Sequence, residues 1–251
     1  MRKISAIIIA KDSAESIAKT LDSVSFCDQV IVVNNDSKDN TAKIAMDKKA
    51  EVFDYSGDNF SEIRNFGLKK AEGDLVLYVD SDEIISEALK TEILKILKGD
   101  FLKSSYFVMR KNFYFGNYQW PKEEKIERLF LKSALKGWQG RIHESPMVLG
   151  EKGMLKGYLL HYTHKDLTSM LNKTIEWSKI EADLRFRSNH PKMTWWRFPR
   201  VMITAFFDSY FKKRGYKAGT IGVIESIFQA YSAFTTYARL WEMQQKNEKN
   251  P

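Results

Sequence analysis

Short apolar runs alternate with amphipathic segments over residues 1–100 of the chain. The runs are rich in branched apolar side chains, which is typical of strands that are buried on both faces of a parallel sheet. The segments between the runs carry apolar residues at helical spacing. The pattern therefore predicts an α/β fold, in which a mostly parallel, Rossmann-like sheet is flanked by helices. The predicted strands are Ile4 to Ala10, Gln29 to Val33, Ala50 to Phe53 and Leu75 to Val79, and the predicted helices are Ala14 to Val24, Thr41 to Lys49 and Ser61 to Lys70.

The pattern changes between Tyr106 and Tyr162, where shorter apolar pieces are separated by glycines and charges. These pieces predict an added mixed sheet. Aromatic side chains are concentrated between Phe113 and Trp120. This stretch is interpreted either as a loop over a cleft, where aromatic rings line a sugar-binding surface, or as a loop that packs on its own rings.

Acidic side chains follow the fourth predicted strand directly, in the run Asp80-Ser81-Asp82-Glu83. Carboxylates that are brought together repel one another unless a cation supplies compensating charge. Oxygen ligands suit a hard divalent ion, so Asp80 and Asp82 are candidates for binding Mg²⁺ or Mn²⁺ next to a phosphate-bearing substrate. The alternative is that Ser81 or Asp82 is the N-cap of a helix that runs through Glu87.

Polar residues also follow two other predicted strands. Lys11 and Asp12 come after the first strand, and residues 34–37 come after the second. In sheets of this kind, ligands bind beyond the carboxyl ends of the strands. The three polar segments are therefore expected to converge on one cleft.

The 251-residue chain carries a formal net charge of +8. A basic protein favours anionic partners, such as nucleotide phosphates or anionic lipid headgroups. Nucleic acid is not expected, because no zinc-ligand spacing, helix-turn-helix pattern or RNA-binding aromatic signature is present. The single cysteine, Cys27, excludes an internal disulfide framework. The apolar stretch near the N-terminus is too short for a secretion signal, so a cytoplasmic location is expected.

Seven short segments stand out by their residues, order and spacing: Ala6 to Lys11, Val33 to Thr41, Ser61 to Gly67, Val79 to Glu83, Arg128 to Phe130, Gly140 to Glu144 and Leu160 to Tyr162. The first four resemble motifs of the family 2 glycosyltransferases. The last three resemble the branch of that family that includes the lipopolysaccharide-core β-1,4-glucosyltransferases. The resemblance covers residues 4–165.

This resemblance implies a GT-A type fold, a nucleotide-sugar donor such as a UDP-sugar, a divalent metal, and transfer with inversion at the anomeric carbon. The implied acceptor is an envelope glycan or a lipid-linked glycan such as lipopolysaccharide core. Residues 1–165 would form the catalytic domain, with a nucleotide-sugar half at about 1–100 and an acceptor half at about 101–165. Residues 166–251 would form a helical extension.

The resemblance also implies roles for individual residues. Arg64 matches a family arginine that helps to bind the nucleotide, and Asp80 to Asp82 match the acidic motif that holds ribose and metal. His161 could reach the metal or the diphosphate, and the alternative is a buried, hydrogen-bonded histidine. The predicted donor-binding residues are Ala10, Lys11, Asn35, Asp36, Arg64, Asp80 and Ser81, and the predicted metal ligands are Asp82, Asp80 and His161.

A carboxylate is also needed to remove the proton of the acceptor hydroxyl. Glu144 is predicted to be this general base, with His143 beside it, because the two correspond to the family's His-Glu motif. The alternative is a surface carboxylate that pairs with Arg141. Rival candidates for the base are Glu123, Glu124 and Asp166.

Residues 193–241 are basic, aromatic and apolar. Asp208 and Glu225 interrupt the apolar stretches, so a membrane span is not expected. The predicted role is peripheral contact with the inner face of the cytoplasmic membrane, where the basic run 212–214 would attract anionic lipid. The alternative is a helical hairpin that packs on the catalytic domain or on the second subunit of a homodimer.

Two other functions remain open at this point. A sugar nucleotidyltransferase uses a similar sheet and metal, but it is expected to have a first loop rich in glycine and arginine, which Ala10-Lys11-Asp12 lacks. A non-catalytic glycan-binding or membrane-binding relative is favoured by unusual residues at positions 13, 34 and 35. The intact acidic motif and Arg64 argue against it.

Overall fold

The computed structural model of the protein describes residues 2–99, 102–140 and 144–249, with only the backbone described at 248 and 249. The chain forms two compact units. The first consists of Met1–Asn112 and Glu123–Thr163, and the second of Phe113–Lys122 and His164–Pro251. The division of functions between a catalytic domain and an extension stays a prediction.

Within its described ranges, the first unit contains four α-helices, a 3₁₀ turn at Lys132–Ala134 and most of the strands. The strands of the protein are β1 (Ile4–Ala10), β2 (Gln29–Asn35), β3 (Glu51–Tyr55), β4 (Leu75–Asp80), β5 (Glu83–Ile85), β6 (Ser105–Tyr114), β7 (Tyr118–Gln119), β8 (Glu124–Leu131), β9 (Leu135–Gln139), β10 (Ser145–Val148) and β11 (Lys152–Tyr162). The helices of this unit are α1 (Ile17–Ser23), α2 (Thr41–Asp47), α3 (Phe60–Lys70) and α4 (Glu87–Lys98).

One sheet organises the first unit, with the strand order β3-β2-β1-β4-β8-β6-β11-β5. The four strands β3, β2, β1 and β4 are parallel, whereas β8 is antiparallel to both β4 and β6. The pieces that the sequence assigns to an added sheet therefore extend the same sheet. The predicted α/β architecture is confirmed, because the parallel strands alternate with helices along the chain.

The central strand β1 is buried on both faces. Ile4, Ala6 and Ile8 belong to one hydrophobic core, and the alternate residues Ile7 and Ile9 belong to another. Successive side chains of a strand point to opposite faces, so a strand between two layers of helices needs apolar residues throughout. This requirement explains why the apolar run of β1 is continuous.

Helix α4 begins after the short strand β5, and Ser86 is its N-cap. The Ser86 hydroxyl accepts a hydrogen bond from the backbone N–H of Leu89 at 3.3 Å. The interpretation that Ser81 or Asp82 caps this helix is wrong, because residues Glu83–Ile85 form a strand between them and the helix. The acidic run is therefore left at the end of β4.

The second unit is mainly helical, as predicted. Its helices are α5 (Leu167–Arg187), α6 (Arg197–Phe207) and α7 (Gly219–Lys249), with a π-helical turn at Asp208–Lys212 and a 3₁₀ turn at Gly215–Ala218. Helix α7 packs against both α5 and α6. Helices α6 and α7 are antiparallel, because the Ser226 hydroxyl bonds that of Ser209 at 3.1 Å while the rings of Phe198 and Phe234 lie 5.9 Å apart.

The aromatic stretch at 113–120 belongs to this second unit and packs on its own rings. Trp120 is 4% exposed, and its ring centroid lies 4.9 Å from that of Tyr114. The indole N–H of Trp120 donates to the carbonyl of Lys213 at 3.0 Å.

No helix within the described ranges is both long enough and apolar enough to cross a membrane.

Candidate active site

The polar ends of three parallel strands lie side by side. In the register of the sheet, Ala10 is paired with Asn34, and Ile9 is paired with Asp80. The carboxyl ends of β1, β2 and β4 therefore share one edge, and the predicted convergence of their polar segments is confirmed.

Hydrogen bonds tie the loop after β1 and helix α1 to the loop after β4. The hydroxyl groups of Ser13 and Ser81 lie 2.8 Å apart, and the hydroxyl of Thr20 donates to the carbonyl of Ser81 at 3.0 Å. Ala10 is buried at the end of β1, whereas Lys11 is exposed at this edge. The predicted donor-binding residues Ala10, Lys11 and Ser81 are thus brought together.

The loop after β2 is shaped by its own side chains. The Asn35 amide donates to the carbonyl of Gly57 at 2.9 Å and accepts from the N–H of Gly57 at 3.1 Å. Asp36 has a left-handed backbone conformation, with φ of 55°, and accepts from the Ser56 hydroxyl at 2.5 Å. In this structure, Asn35 positions the loop after β3.

Arg64 on α3 connects two of the predicted functional carboxylates. Its Nη2 donates to Asp80 at 3.0 Å, and its Nε donates to Glu144 at 2.8 Å. The side chain is buried under aromatic rings, with the guanidinium carbon 4.8 Å from the centroid of Trp138 and 5.5 Å from that of Tyr78. Among the described residues, the buried Nη1 of Arg64 has no hydrogen-bond partner.

Two further arginines complete this network from strands β6 and β8. Arg128 donates to Asp80 at 2.6 Å and to Glu83 at 3.2 Å. Arg110 donates to Glu83 at 3.1 Å and to Glu124 at 2.5 Å. Glu83 is fully buried and also accepts from the backbone N–H of Asp80 at 3.0 Å.

The arginines control the ionisation of the acidic motif. Burial raises the pKa of Asp80, but Arg128 and Arg64 outweigh it and hold that pKa well below its usual value. Burial likewise lowers the pKa of Arg128, yet Asp80 and Glu83 raise it above the usual value for arginine. Asp80 and Arg128 are therefore both held in their charged forms.

Glu144 is held by Arg64 rather than lying free on the surface. Its side chain is 15% exposed. The predicted partner His143 and the alternative partner Arg141 both lie outside the described residues. The pairing with Arg64 positions the Glu144 carboxylate next to the acidic motif, and its role as the base stays a prediction.

The rival carboxylates have other contacts. Glu123 lies 3.8 Å from the Lys111 ammonium, and Glu124 is bound by Arg110. Asp166 caps helix α5, since its carboxylate accepts from the N–H of Ser169 at 2.7 Å. The contacts of Asp166 are those of a helix cap in the second unit.

His161 on β11 lies next to Asp82. Its Nε2 is 3.3 Å from the Asp82 carboxylate, and its Nδ1 is 2.8 Å from the amide oxygen of Asn112. The backbone N–H of Tyr162 donates to the Asp82 carbonyl at 3.0 Å, which fixes the end of β11 against the acidic run. Two of the predicted metal ligands are therefore adjacent.

The donor set and the charge of this edge suit a divalent cation. No group of three or more His, Cys, Asp and Glu side chains is placed to hold a metal within 2–99, 102–140 and 144–249. Mg²⁺, however, is commonly held by one or two protein carboxylates together with substrate phosphates and water. The described network joins the three guanidinium groups of Arg64, Arg110 and Arg128 to the four carboxylates of Asp80, Glu83, Glu124 and Glu144. Asp82, next to His161, adds a fifth carboxylate. The resulting excess of negative charge is of the size that a divalent cation neutralises.

Sequence reasoning missed the second row of this network. Arg110 and Asn112 are absent from the predicted site, and Glu83 and Arg128 enter the sequence analysis only as parts of motifs. A signal was present in β6, where Arg110 lies inside a strand that is otherwise largely apolar, and in β8, where Arg128 directly precedes the apolar run Leu129-Phe130-Leu131. Charged residues are rarely buried unless they are paired.

The comparisons with known proteins agree on one class. The family described as Glycosyl transferase family 2 matches residues 5–159. An uncharacterized glycosyltransferase of Rickettsia prowazekii (strain Madrid E) is 28% identical over 99% of this chain and 90% of its own length. The lipopolysaccharide core biosynthesis glycosyltransferase LpsC of Rhizobium meliloti (strain 1021) is 24% identical over 95% of this chain and 92% of its own length.

Among the solved structures that are similar to part of this chain is glucosyl-3-phosphoglycerate synthase of Mycobacterium tuberculosis, in complex with Mn²⁺, UDP and glucosyl-3-phosphoglycerate. It has a TM-score of 0.39 and is 21% identical, covering 53% of this chain and 58% of its own.

The chain belongs to glycosyl transferase family 2, since that family covers more than half of it. The predicted enzyme class, a glycosyltransferase, is confirmed in preference to the nucleotidyltransferase and to the non-catalytic relative. The predicted GT-A type of α/β fold with a helical C-terminal region is likewise confirmed.

Proposed function

We propose that this glycosyltransferase takes a UDP-sugar as donor and transfers the sugar, with inversion, to a hydroxyl of an envelope glycan or lipid-linked acceptor. The observation that carries the proposal is the position of Arg64, whose guanidinium joins Glu144 to Asp80 at the carboxyl edge of the parallel strands. One side chain thus holds the predicted base next to the predicted donor-binding motif.

Glu144 is the proposed general base, with His143 beside it in the chain. In an inverting transfer, the base acts on the face of the sugar opposite the leaving group, as in inverting glycosidases. Arg64 fixes one carboxylate oxygen of Glu144, and the side chain remains partly exposed. Glu144 is therefore oriented while an acceptor hydroxyl can still approach it.

Arg64 is also proposed to bind the donor. Arg64 is 4% exposed, and its Nη1 is without a partner among the described residues. A buried N–H group without a partner is costly unless a ligand satisfies it. A diphosphate oxygen would do so, and a cation that is already fixed stabilises developing negative charge without reorganisation. Lys11, at the same edge, would add positive charge near the donor.

The remaining predicted donor residues shape the cleft in this proposal. Ala10 packs in the core at the end of β1, Ser81 is held by Ser13, and Asn35 and Asp36 order the loops beside them. Each acts through the backbone position that it stabilises.

Asp82 and His161 are proposed to hold Mg²⁺ or Mn²⁺, with Asp80 adjacent to them. When bound, such a cation acts as a Lewis acid on the diphosphate oxygens of the leaving group. The negative excess of the network and the contact between Asp82 and His161 support this assignment.

The acceptor class is proposed from the relative LpsC, which is named for lipopolysaccharide core biosynthesis. Its similarity extends over nearly the whole length of both proteins. An acceptor of this class is lipid-linked, which would place the reaction at the inner face of the cytoplasmic membrane.

The test is transfer of labelled sugar from a panel of UDP-sugars to lipid-linked glycan acceptors, with Mg²⁺ or Mn²⁺ present. We expect Glu144→Gln to lower the rate of transfer by about 10²–10⁴-fold and to leave UDP binding unchanged, because only proton removal is lost. The matched control is Glu123→Gln, which makes the same change at a carboxylate that contacts Lys111 instead of Arg64. Normal turnover by Glu144→Gln would exclude Glu144 as the base, and the absence of transfer from every UDP-sugar by the unaltered protein would overturn the donor class.

A further inference from the structure

Helix α6 is apolar, yet none of its residues is buried. Trp196, Ile203 and Phe207 recur at helical spacing and are 45%, 57% and 54% exposed. The stripe continues into the π-helical turn, where Phe211 is 52% exposed and its ring stacks on that of Phe207 at 5.2 Å. We call this surface, defined by Trp196, Arg200, Ile203, Phe207 and Phe211, the α6 face.

The α6 face is basic at both ends. At its beginning, the guanidinium carbons of Arg197 and Arg200 lie 5.4 Å and 5.9 Å from the ring centroid of Trp196. At its end stands the basic run 212–214. Tryptophan and arginine side chains are suited to the headgroup boundary of a bilayer, where one part of the side chain is apolar and the other is hydrated.

Acidic side chains do not offset this charge. Residues 193–241 contain seven Lys and Arg residues but only two acidic ones. Asp208 is paired with Lys212 at 3.2 Å, and Glu225 is 2% exposed and lies 3.1 Å from His164. The exposed surface of this segment is therefore positively charged next to apolar side chains.

Helix α7 has an exposed apolar stripe of its own. Ile224, Ile227, Tyr231 and Phe234 are 42%, 57%, 44% and 40% exposed, at spacings of three and four residues. The side of α7 that carries Leu240 is buried. A helix whose apolar stripe serves only the protein core buries that stripe. The exposed stripes of α6 and α7 therefore indicate contact with another apolar surface or with lipid.

We propose that the α6 face, together with the exposed stripe of α7, docks on an anionic lipid surface. The apolar side chains would enter the boundary between headgroups and acyl chains, and the basic ends would contact lipid phosphates. The inference deepens the proposed location of a lipid-linked acceptor, and it stands on the second unit alone, without reference to the donor site.

A second copy of the chain fits this surface less well. If two copies met through the α6 face, the basic ends of one copy would lie near basic ends of the other, whether the helices ran parallel or antiparallel. Like charges at close range oppose association. An anionic membrane instead offers charge of opposite sign together with an apolar interior.

The experiment is co-sedimentation of the full chain with vesicles of phosphatidylcholine alone and with vesicles that also contain phosphatidylglycerol. We expect binding to the anionic vesicles that weakens as salt is added, because exposed charges are screened. Replacing both Lys212 and Lys213 by Gln should weaken binding about thirtyfold, because each basic side chain near an anionic surface contributes about 1 kcal/mol to the binding free energy. Replacing Phe207 and Phe211 by Ser should abolish most of the binding that persists at high salt.

Matched controls remove the same groups elsewhere on the protein. Lys19→Gln with Lys43→Gln removes two exposed charges, and Leu149→Ser removes an apolar side chain that is 72% exposed. Both controls should bind vesicles like the unaltered chain. Circular dichroism would verify that every variant is folded.

Two outcomes would overturn the proposal. One is equal binding of anionic vesicles by the control variants and by the α6 variants. The other is the absence of binding to anionic vesicles by the unaltered chain. A concentration-dependent dimer that the Phe207→Ser, Phe211→Ser variant lacks would then assign the surface to a second copy. Neither outcome depends on sugar transfer, so failure here is distinguishable from failure of the proposed donor chemistry.

Discussion

At the scale of single residues, the acidic motif owes its arrangement to buried arginines. Asp80 would be costly to place beside Glu83 without them, because two carboxylates at short range repel. Arg128 contacts both, and it is 7% exposed. A buried ion pair adds little stability compared with apolar packing, but removing one partner leaves an uncompensated charge.

Arg128→Met is therefore expected to lower the free energy of unfolding by about 3 kcal/mol, at the lower end of the range for a broken buried pair. The lower end applies because Arg64 and Arg110 still contact the two carboxylates. Urea denaturation measures the change. The control Lys152→Met breaks the more exposed pair with Glu127 and should cost less than about 1 kcal/mol. Equal losses in the two variants would contradict this account.

Individual residues of the site can be predicted from the sequence, but the contacts between them cannot. Arg64, Asp80 and Glu144 were each assigned by resemblance to family motifs. Their connection through one guanidinium joins positions 80 residues apart in the chain. Such a contact depends on how α3 packs against the sheet, which no local pattern encodes.

At the scale of elements, apolar strands were predicted more closely than polar ends. The predicted limits of β1 match the structure, since its apolar run is continuous. Strand β2 extends to Asn35, beyond the predicted Val33, because Asn34 and Asn35 pair with β3 although their side chains are polar. Helix α1 begins at Ile17 rather than Ala14, because the preceding residues form a turn. In this turn, the Ser13 carbonyl accepts hydrogen bonds from the backbone N–H groups of Ser16 and Ile17.

Ser86 gives a test at this scale. Its hydroxyl caps α4 and also accepts from the backbone N–H of Tyr158 on β11 at 3.1 Å. Ser86→Ala should lower the free energy of unfolding by about 1–2 kcal/mol, because an N-cap and a strand contact are lost together. Thermal denaturation gives the measurement. Thr91→Ala, an exposed position within the same helix, should cost nothing or stabilise slightly, and a similar loss there would refute the capping role.

At the scale of the whole molecule, the two units differ in their charge. The carboxyl edge of the first unit gathers more carboxylates than guanidinium groups, whereas the 193–241 segment of the second unit is strongly basic. The net charge of +8 therefore conceals a local negative site. The net charge of the chain predicts anionic partners, but it does not locate the position that suits a cation.

The local site predicts a linked effect on thermal stability. A ligand that binds only the folded protein raises the melting temperature, so UDP with Mn²⁺ at saturating concentration should raise it by about 5–10 °C. UDP without the metal should have a much smaller effect. Asp82→Asn should remove the metal-dependent part, and Asp47→Asn, at an exposed position on α2, should keep it. An unchanged metal-dependent shift in Asp82→Asn would exclude Asp82 as a ligand.

The single guanidinium of Arg64 donates to two carboxylates, so a ligand that accepts from the same N–H groups competes with them. Any phosphate oxygen that takes hydrogen bonds from Arg64 lengthens or replaces those to Glu144 and Asp80 unless it uses the spare Nη1. Binding of such a ligand and release of Glu144 from Arg64 are then coupled. Removal of the acceptor, as in Glu144→Ala, would therefore alter nucleotide binding, whereas Glu144→Gln keeps an amide oxygen that can accept from Nε of Arg64.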